Sequence, residues 1–422
     1  MSQGISLTPE QREAAHLLDA DCIVSAGAGS GKTRVLVERF LHILSLYGDD
    51  PAILDSIVAI TFTEKAATEM KGRIRRQLAE RMEEAERSGR REEADRWYRL
   101  MVESERAAIM TIHAFCARLL RDFPVEAGVD PQFAVLDEAE ARLLLRDAVR
   151  EELLSGAGTS GDSPLLDWLA GIGISRGIET LSGAMRKMAG YGWTAEELGE
   201  ITRRDLRRSA IRLKQVREET LIQFLEAGDA LLEMRGGKRL KAFQAEWPRL
   251  REHFLREKGP EILLPAVERA LELLKGHWGK NEDLRLLRDR MKEAGGNLAE
   301  ALRGQLLLPA ERETLDALLP LLARIEERYA AAKRERKALD FEDLQLLACR
   351  LLEEREDVRR RLRGRIRFLM VDEYQDTNGL QKRLIDTLRR RPDGSPAPGK
   401  LFVVGDPKQS IYRFRGADVS VF

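Results

Sequence analysis

The sequence predicts an α/β protein in which a parallel sheet flanked by helices is interrupted by a mainly α-helical inserted domain. Five short runs rich in β-branched and apolar residues have the character of buried strands, and helical stretches follow most of them. This alternation is typical of a parallel sheet covered on both faces. Three of the runs come early in the chain and two come very late. The predicted strands are Asp21–Ser25, Ile57–Phe62, Ala108–Ile112, Arg367–Asp372 and Lys400–Gly405.

The residues between the third and fourth strands are almost wholly helical in pattern. An insertion accounts for this order better than two domains in series. We therefore expect residues 1–115 and 337–422 to form the sheet domain and residues 116–336 to form the helical insertion. A glycine-rich run at Gly171–Gly177 predicts a loop within it. The clearest helical stretches are Glu138–Leu154, Arg203–Glu226, Pro265–Lys275 and Leu315–Lys333.

Composition narrows the possible classes of protein. The chain has 422 residues, 43% of them hydrophobic, which is enough for two or more cores. Its 71 basic and 71 acidic residues balance, so any nucleic-acid surface must come from local patches. Three widely spaced cysteines show neither disulfide nor zinc spacing and fit a reducing compartment. With no leader and no apolar run of membrane-spanning length, we expect a cytoplasmic protein without a membrane partner.

A phosphate-binding loop follows the first predicted strand. The loop comprises Ala26, Gly27, Ala28, Gly29, Ser30, Gly31, Lys32 and Thr33, and a helical pattern comes after it. Its glycines let backbone N–H groups face phosphate oxygens at the positive end of that helix. Lys32 would reach the terminal phosphates, and the Thr33 hydroxyl would ligate Mg²⁺. The alternative, a glycine-rich turn with a lone lysine, is disfavoured by the strand–loop–helix context.

Two acidic residues end the fourth predicted strand. Carboxylates at this end of a buried strand lie where an open α/β sheet places its ligands. Asp372 would hold Mg²⁺, and Glu373 would polarise the water that attacks the γ-phosphorus. A helix N-terminus also favours acidic residues, so the acidic pair alone does not indicate a nucleotide site. Together with the phosphate loop upstream, it does. Nucleoside triphosphate hydrolysis is the favoured interpretation, and a P-loop kinase is the alternative.

Aromatic and arginine residues alternate after the last predicted strand. Tyr412, Phe414 and Arg415 suit nucleic-acid bases stacked on rings beside a backbone held by cations. The alternative is that the two aromatic residues belong to a core. Gln409, just past the strand, is placed to contact the γ-phosphate and to report hydrolysis to this segment.

In these motifs the chain resembles superfamily 1 helicases of the UvrD/Rep/PcrA and RecB/AddA kind. The segment Leu7–Gln11 is similar to the family's Q motif, which implies that Gln11 reads adenine. Arg34 matches a residue that stacks on adenine. The segment Leu339–Leu344 is similar to the motif that reopens the first RecA-like domain after its helical insertion.

The resemblance also implies contacts with single-stranded DNA. Thr61–Ala67 resembles motif Ia and contributes Phe62, Thr63 and Lys65; Thr111–Cys116 resembles motif Ib and contributes Thr111 and His113. For His113, a hydrogen-bonded histidine at a strand end is an alternative without any DNA contact.

Within the family, the segments Phe133–Glu140 and Gln409–Asp418 resemble the AddA component of a helicase–nuclease. The resemblance implies ATP and Mg²⁺ as cofactors and 3′-to-5′ movement on single-stranded DNA. It also implies an AddB-like second subunit and a role in recombination or double-strand-break repair. Contact with the phosphates of duplex or single-stranded DNA is expected from three basic clusters, with solvated helix faces as the alternative; the clusters are Arg203–Lys214, Arg235–Lys241 and Arg359–Arg367. Because the sequence stops at Phe422, after motif III, we expect the front part of a larger enzyme, without motifs IV to VI. A UvrD/PcrA-type repair helicase and a non-motor, ATP-responsive DNA-binding module are the alternatives.

Overall fold

A computed structural model describes residues 7–27, 29–156, 164–257, 259–406 and 408. Its main sheet has five parallel strands in the order β1-β7-β6-β2-β3, and a separate parallel pair joins β4 to β5. Each predicted strand is confirmed, shortened by one residue at one or both ends. The strands are β1 (Cys22–Ser25), β2 (Ile57–Thr61), β3 (Ala108–Thr111), β4 (Ala134–Val135), β5 (Ala338–Leu339), β6 (Phe368–Val371) and β7 (Leu401–Gly405).

The helices are α1 (Pro9–His16), α2 (Lys32–Tyr47), α3 (Ile53–Ser56), α4 (Glu64–Arg87), α5 (Arg91–Glu103), α6 (Ile112–Asp122), α7 (Pro124–Ala127), α8 (Glu138–Gly156), α9 (Pro164–Ile172), α10 (Ile174–Tyr191), α11 (Ala195–Leu232), α12 (Lys238–Arg256), α13 (Pro260–Leu273), α14 (Glu282–Glu335), α15 (Phe341–Glu354), α16 (Glu356–Arg365) and α17 (Gly379–Leu388). Single 3₁₀ turns lie at Ser104–Arg106 and Tyr374–Asp376.

Hydrophobic cores cover both faces of the main sheet. Along β2, Ile57 and Ala59 belong to one core, with side chains of α2, α4 and α5. Val58 and Ile60 belong to the other, with side chains of α6, α15 and α17. Successive residues of a strand point to opposite faces, so a strand buried on both sides must be apolar throughout. The parallel sheet flanked by helices is therefore confirmed.

The chain divides into two units. The first comprises Met1–Leu154, Ser175–Trp193 and Ile325–Phe422, and every strand of the described residues lies in it. The second comprises Ser155–Ile174 and Thr194–Arg324 and is helical in its described part. The boundaries predicted for the inserted domain, at residues 116 and 336, stay a prediction.

A cluster of aromatic rings lies within the core of the second unit. Trp247 is fully buried, and its ring centroid lies 5.6 Å from that of Phe224 and 5.4 Å from that of Phe243. Gly228 of α11 faces this indole so closely that a Cβ there would lie 2.1 Å from a ring carbon of Trp247. Helix α11 can therefore approach the rings only with glycine at this position.

One predicted loop is wrong. The run Gly171–Gly177 is occupied by the end of α9 and the start of α10. Only Gly173 separates the two helices, in the left-handed conformation with φ +84°. In the described part of the chain, no helix is both long and apolar enough to cross a membrane.

Candidate functional site

Three loops meet at the carboxyl end of the main sheet because β1, β7 and β6 are neighbours. The phosphate loop follows β1, the acidic pair follows β6, and Asp406 follows β7. The backbone N–H of Ala26 donates to the Gly405 carbonyl over 3.0 Å, which joins the first and last of these loops. The backbone N–H of Asp372 donates to the Ile60 carbonyl over 2.8 Å. Loops distant in sequence therefore share one edge of the sheet.

The phosphate loop is curled as its glycines require. Gly29 and Gly31 have φ values of +72° and +85°, in the left-handed region that glycine adopts without strain. Gly31 is the residue before α2, whose first residue is Lys32. The Ser30 hydroxyl donates to the Gly27 carbonyl over 2.7 Å and closes the turn. Ala28 lies outside the described residues.

Lys32 meets the acidic pair across 341 positions of sequence. Its Nζ lies 3.1 Å from Glu373 Oε2, and the lysine side chain is only 9% exposed. Glu373 itself has φ +48° and ψ +46°, a left-handed backbone conformation that residues other than glycine rarely adopt. Such conformations concentrate at functional sites, where surrounding contacts hold them.

Asp372 lies deeper than Glu373 and is only 8% exposed. Its carboxylate accepts from the Glu373 backbone N–H over 3.0 Å. Burial, and then the neighbouring charge of Glu373, raises the pKa of Asp372 to about 6. Two carboxylates thus face one ammonium group, and a nearby divalent cation would relieve their repulsion.

The available oxygen donors fit a partly hydrated magnesium ion. Thr33 lies half-buried in the first turn of α2, beside Lys32. Among the described residues, no group of three or more His, Cys, Asp or Glu could enclose a metal ion. Mg²⁺ is usually held by one or two protein oxygens together with phosphates and water, and Thr33 and Asp372 suit that arrangement.

The two residues expected near adenine flank the phosphate loop. Gln11 donates through Nε2 to the Ser30 carbonyl over 2.7 Å, and its Oε1 accepts from the Thr8 backbone N–H over 3.0 Å. It therefore supports the loop and caps α1 as well. Arg34 lies half-buried in the first turn of α2. Their contacts with adenine stay predictions.

The residues matched to motif Ia lie where β2 leads into α4. Phe62 is half-buried, whereas Thr63 and Lys65 are exposed. The Thr63 hydroxyl accepts from the Ala66 backbone N–H over 3.1 Å and so caps α4. Thr63 thus has a structural role whether or not it also contacts DNA.

The residues matched to motif Ib lie where β3 leads into α6. Thr111 is buried and caps α6, and it also donates to Glu64 Oε1 over 2.7 Å. His113 is half-buried, with its ring centroid 4.6 Å from that of Phe341. Its Nε2 lies 3.2 Å from Nε2 of Gln345. Contact of these side chains with DNA stays a prediction.

The segment predicted to stack on nucleic-acid bases is not described by the structure. Gln409, Tyr412, Phe414 and Arg415 all lie outside the described residues. Lys408, immediately before them, is exposed, and its backbone N–H donates to Asp406 Oδ1 over 3.0 Å.

Sequence reasoning missed Gln375, a buried link between two of the loops. Its Nε2 donates to Glu373 Oε2 over 2.7 Å, and its Oε1 accepts from the Asp406 backbone N–H over 2.9 Å. The side chain is only 2% exposed. A signal was available, because a glutamine two residues after a candidate catalytic acid is close enough to hydrogen-bond to it.

Comparison with known proteins agrees with this geometry. Residues 7–422 match the model of the UvrD/REP helicase N-terminal domain. The chain is 29% identical over 98% of its length to the A subunit of the ATP-dependent helicase/nuclease of Syntrophomonas wolfei, covering 34% of that protein. It is 31% identical to the proteins of the same name from Moorella thermoacetica and Desulfitobacterium hafniense, over 98% of this chain and 32% of each relative. The chain thus spans about a third of the length of these relatives. Since the family model matches nearly the whole chain, and the lysine and acidic pair meet at one sheet edge, the chain belongs to the UvrD/REP helicase N-terminal domain family.

Proposed function

We propose that the chain is the ATP-binding part of an ATP-dependent DNA helicase or translocase of the AddA type. The observation that carries the proposal is the 3.1 Å contact between Lys32 and Glu373, which joins the phosphate loop to the acidic pair at one edge of the sheet. Family membership and relatives named as helicase/nuclease subunits support the same conclusion.

At this edge of the sheet, each candidate residue has a distinct task. The backbone N–H groups of the phosphate loop bind phosphate oxygens, and Lys32 attracts the terminal phosphates. Thr33 and Asp372 hold Mg²⁺, and bound Mg²⁺ offsets the negative charge of the phosphates. Gln11 and Arg34 position the adenine.

Glu373 is the proposed general base, and its partners set its availability. Lys32 and Gln375 both bond to its Oε2. Phosphate oxygens compete with this carboxylate for the Lys32 ammonium group. Nucleotide binding therefore weakens the contact between Lys32 and Glu373. Gln375 keeps the Glu373 carboxylate oriented toward the attacking water. Gln409, by family resemblance, contacts the γ-phosphate.

DNA contacts are proposed for the loops that follow β2, β3 and β7. These contribute Phe62, Thr63, Lys65, Thr111, His113, Tyr412, Phe414 and Arg415. We further propose a RecA-like domain with a helical insertion, 3′-to-5′ movement on single-stranded DNA, contact with duplex DNA, and an AddB-like second subunit. Recombination or double-strand-break repair in the cytoplasm is the proposed setting. A UvrD/PcrA-type repair helicase and a non-motor, ATP-responsive DNA-binding module are the alternatives, and the following experiment addresses the second of them.

The test measures nucleotide binding and single-turnover ATP hydrolysis, each with and without a single-stranded oligonucleotide. We expect Lys32→Ala to weaken binding of Mg²⁺–ATP at least about tenfold, because a charge-assisted contact to phosphate is lost. Glu373→Gln should keep nucleotide affinity and abolish DNA-stimulated turnover. Lys187→Ala, an exposed lysine of α10, is the matched control and should change neither quantity.

Two results would contradict parts of the proposal. Unchanged nucleotide affinity in Lys32→Ala would remove the nucleotide site itself. Binding of both nucleotide and DNA, with no turnover in a longer form of the protein that carries an arginine finger, would favour the non-motor module.

A further inference from the structure

Three side chains form a hydrogen-bonded chain between the two candidate sites. Asn378 Nδ2 donates to Gln345 Oε1 over 3.2 Å. Gln345 Nε2 in turn lies 3.2 Å from His113 Nε2 and donates to the Phe341 carbonyl over 3.1 Å. Gln345 is 4% exposed and Asn378 is 9% exposed. Buried amides of this kind depend on each other for their hydrogen bonds.

Backbone groups fix the direction of the chain at both ends. The Gln381 backbone N–H can only donate, and it donates to Asn378 Oδ1 over 2.9 Å, which leaves Asn378 Nδ2 as the donor toward Gln345. The Phe341 carbonyl can only accept, which assigns Nε2 of Gln345 to that side. His113 therefore meets a donor and accepts through its own Nε2. Flipping either amide would set donor against donor or acceptor against acceptor.

The ends of the chain belong to different sites. Asn378 caps α17 and stands five residues after Glu373. The Thr377 backbone N–H donates to the Tyr374 carbonyl over 3.1 Å, so the intervening residues form one tight turn. His113 lies in the first turn of α6, in the loop proposed to contact DNA. Gln345, on α15, is the only side chain of the three that bonds to both of the others.

We propose that Gln345 is a positioning residue that couples the turn after Glu373 to the DNA-contact loop at His113. The inference rests on the proposed function, since it assigns the two ends to nucleotide and DNA sites. A shift of the turn on nucleotide binding moves Asn378, and Gln345 must follow or leave a buried amide without its partner. Movement of Gln345 then changes the position of the Nε2 donor that His113 contacts. The coupling is reciprocal, so DNA bound at His113 must alter nucleotide affinity by the same factor.

Binding measurements test this coupling without requiring turnover. The dissociation constant of a fluorescent, non-hydrolysable ATP analogue with Mg²⁺ is measured with and without saturating oligo-dT. The dissociation constant of oligo-dT is then measured with and without the analogue. We expect a wild-type coupling factor of at least about fivefold in both directions. Gln345→Leu, which keeps the approximate size of the side chain, should bring the factor to about one, with each single-ligand affinity within about twofold of wild type.

Two further variants separate coupling from folding. Asn378→Ser keeps a hydroxyl that can cap α17 but removes the donor to Gln345, and it should also abolish the coupling. Gln244→Leu is the matched control, because Gln244 donates to three backbone carbonyls (Leu231, Leu232 and Met234) within the second unit. It should lower thermal stability and leave the coupling factor unchanged.

The outcomes are distinguishable. A wild-type coupling factor of one, or wild-type coupling retained in both Gln345→Leu and Asn378→Ser, would overturn the inference. A nucleotide affinity that is unchanged in Lys32→Ala would instead overturn the proposed function.

Discussion

Glu373 shows how one residue can be held in an unfavourable backbone conformation. Its left-handed φ and ψ disfavour any side chain, and the cost is of order 1–3 kcal/mol. Contacts with Lys32 and Gln375, and its N–H bond to Asp372, hold it in place. The contact with Lys32 places the Glu373 carboxylate beside the phosphate loop, and Asp372 is more deeply buried than Glu373.

At the same scale, we predict that Asp372→Asn removes the dependence of nucleotide binding on Mg²⁺. The amide has nearly the size of the carboxylate but carries no charge for the ion. Affinity for the nucleotide with Mg²⁺ should fall about tenfold or more, whereas affinity measured with excess EDTA should stay within about twofold. Titration calorimetry in both buffers measures this difference, and an equal loss in both would contradict a role in holding the metal.

Lys400 provides a prediction of pH dependence. It is buried, and burial, together with the nearby Arg363, lowers its pKa to about 8. In the unfolded chain a lysine keeps its proton up to about pH 10.4. Between these values the unfolded state binds more protons, so the contribution of Lys400 to stability rises with pH.

The free energy of unfolding of wild type minus that of Lys400→Met should therefore increase from pH 8 to pH 10. The slope cannot exceed about 1.4 kcal/mol per pH unit, the limit for one proton. Urea titrations at four pH values measure it. A flat or falling difference would show that Lys400 keeps an ordinary pKa in the folded protein.

At the scale of elements, helix glycines differ by what faces them. A Cβ on Gly228 of α11 would lie 2.1 Å from a ring carbon of Trp247, which is fully buried in the core of the second unit. A Cβ on Gly72 of α4 would meet nothing within 4 Å. The same substitution should therefore have opposite signs at the two sites.

We predict that Gly228→Ala destabilises the second unit by about 2–4 kcal/mol, because the indole must be displaced. Gly72→Ala should stabilise the first unit by about 0.5–1 kcal/mol, because alanine restricts the unfolded chain. Chemical denaturation of both variants gives the two values. Equal effects at both positions would show that the rings around Trp247 can rearrange.

The same scale shows what could be predicted from sequence and what could not. Strands β2, β3, β6 and β7 were recognisable because burial on both faces makes each run continuously apolar. Strand β1 was recognisable by its apolar residues Cys22–Val24, although Ile23 and Ser25 are exposed. The strands β4 and β5 have two residues each, too few to show any period. At Gly171–Gly177 three glycines predicted a loop, yet only Gly173 needs the left-handed conformation, and helices tolerate the others. The spacing of the phosphate loop predicted Lys32, and the acidic pair at the end of a buried strand predicted Glu373. The bond from Gln375 to Glu373 is local in sequence, whereas its bond to Asp406 and the bonds of Gln345 depend on tertiary packing that no local pattern encodes.

At the scale of the whole molecule, each unit has its own core. In the first unit, aliphatic and aromatic side chains cover both faces of the sheet. In the second, a cluster centred on Phe224, Phe243 and Trp247 joins α11, α12, α13 and α14. Separate cores allow separate cooperative transitions, because opening one does not expose the other.

We predict that urea unfolds the chain in two steps. Hydrogen exchange followed by mass spectrometry should show peptides of residues 194–324 exchanging together, at a urea concentration different from that for residues 29–154. Gly228→Ala should shift only the former transition. A single transition shared by all peptides, and shifted as a whole by that substitution, would show one cooperative unit.

Strand order has a further consequence for how the protein is made. Among the described strands β1 pairs only with β7, whose residues lie about 380 positions later in the chain. A ribosome adding about 5–20 residues per second would need roughly 20–80 s to synthesise that interval. Throughout this time the apolar strand β1, next to the phosphate loop, lacks its partner strand in the nascent chain. Production of this protein in a host cell should therefore depend strongly on chaperones that shield emerging strands.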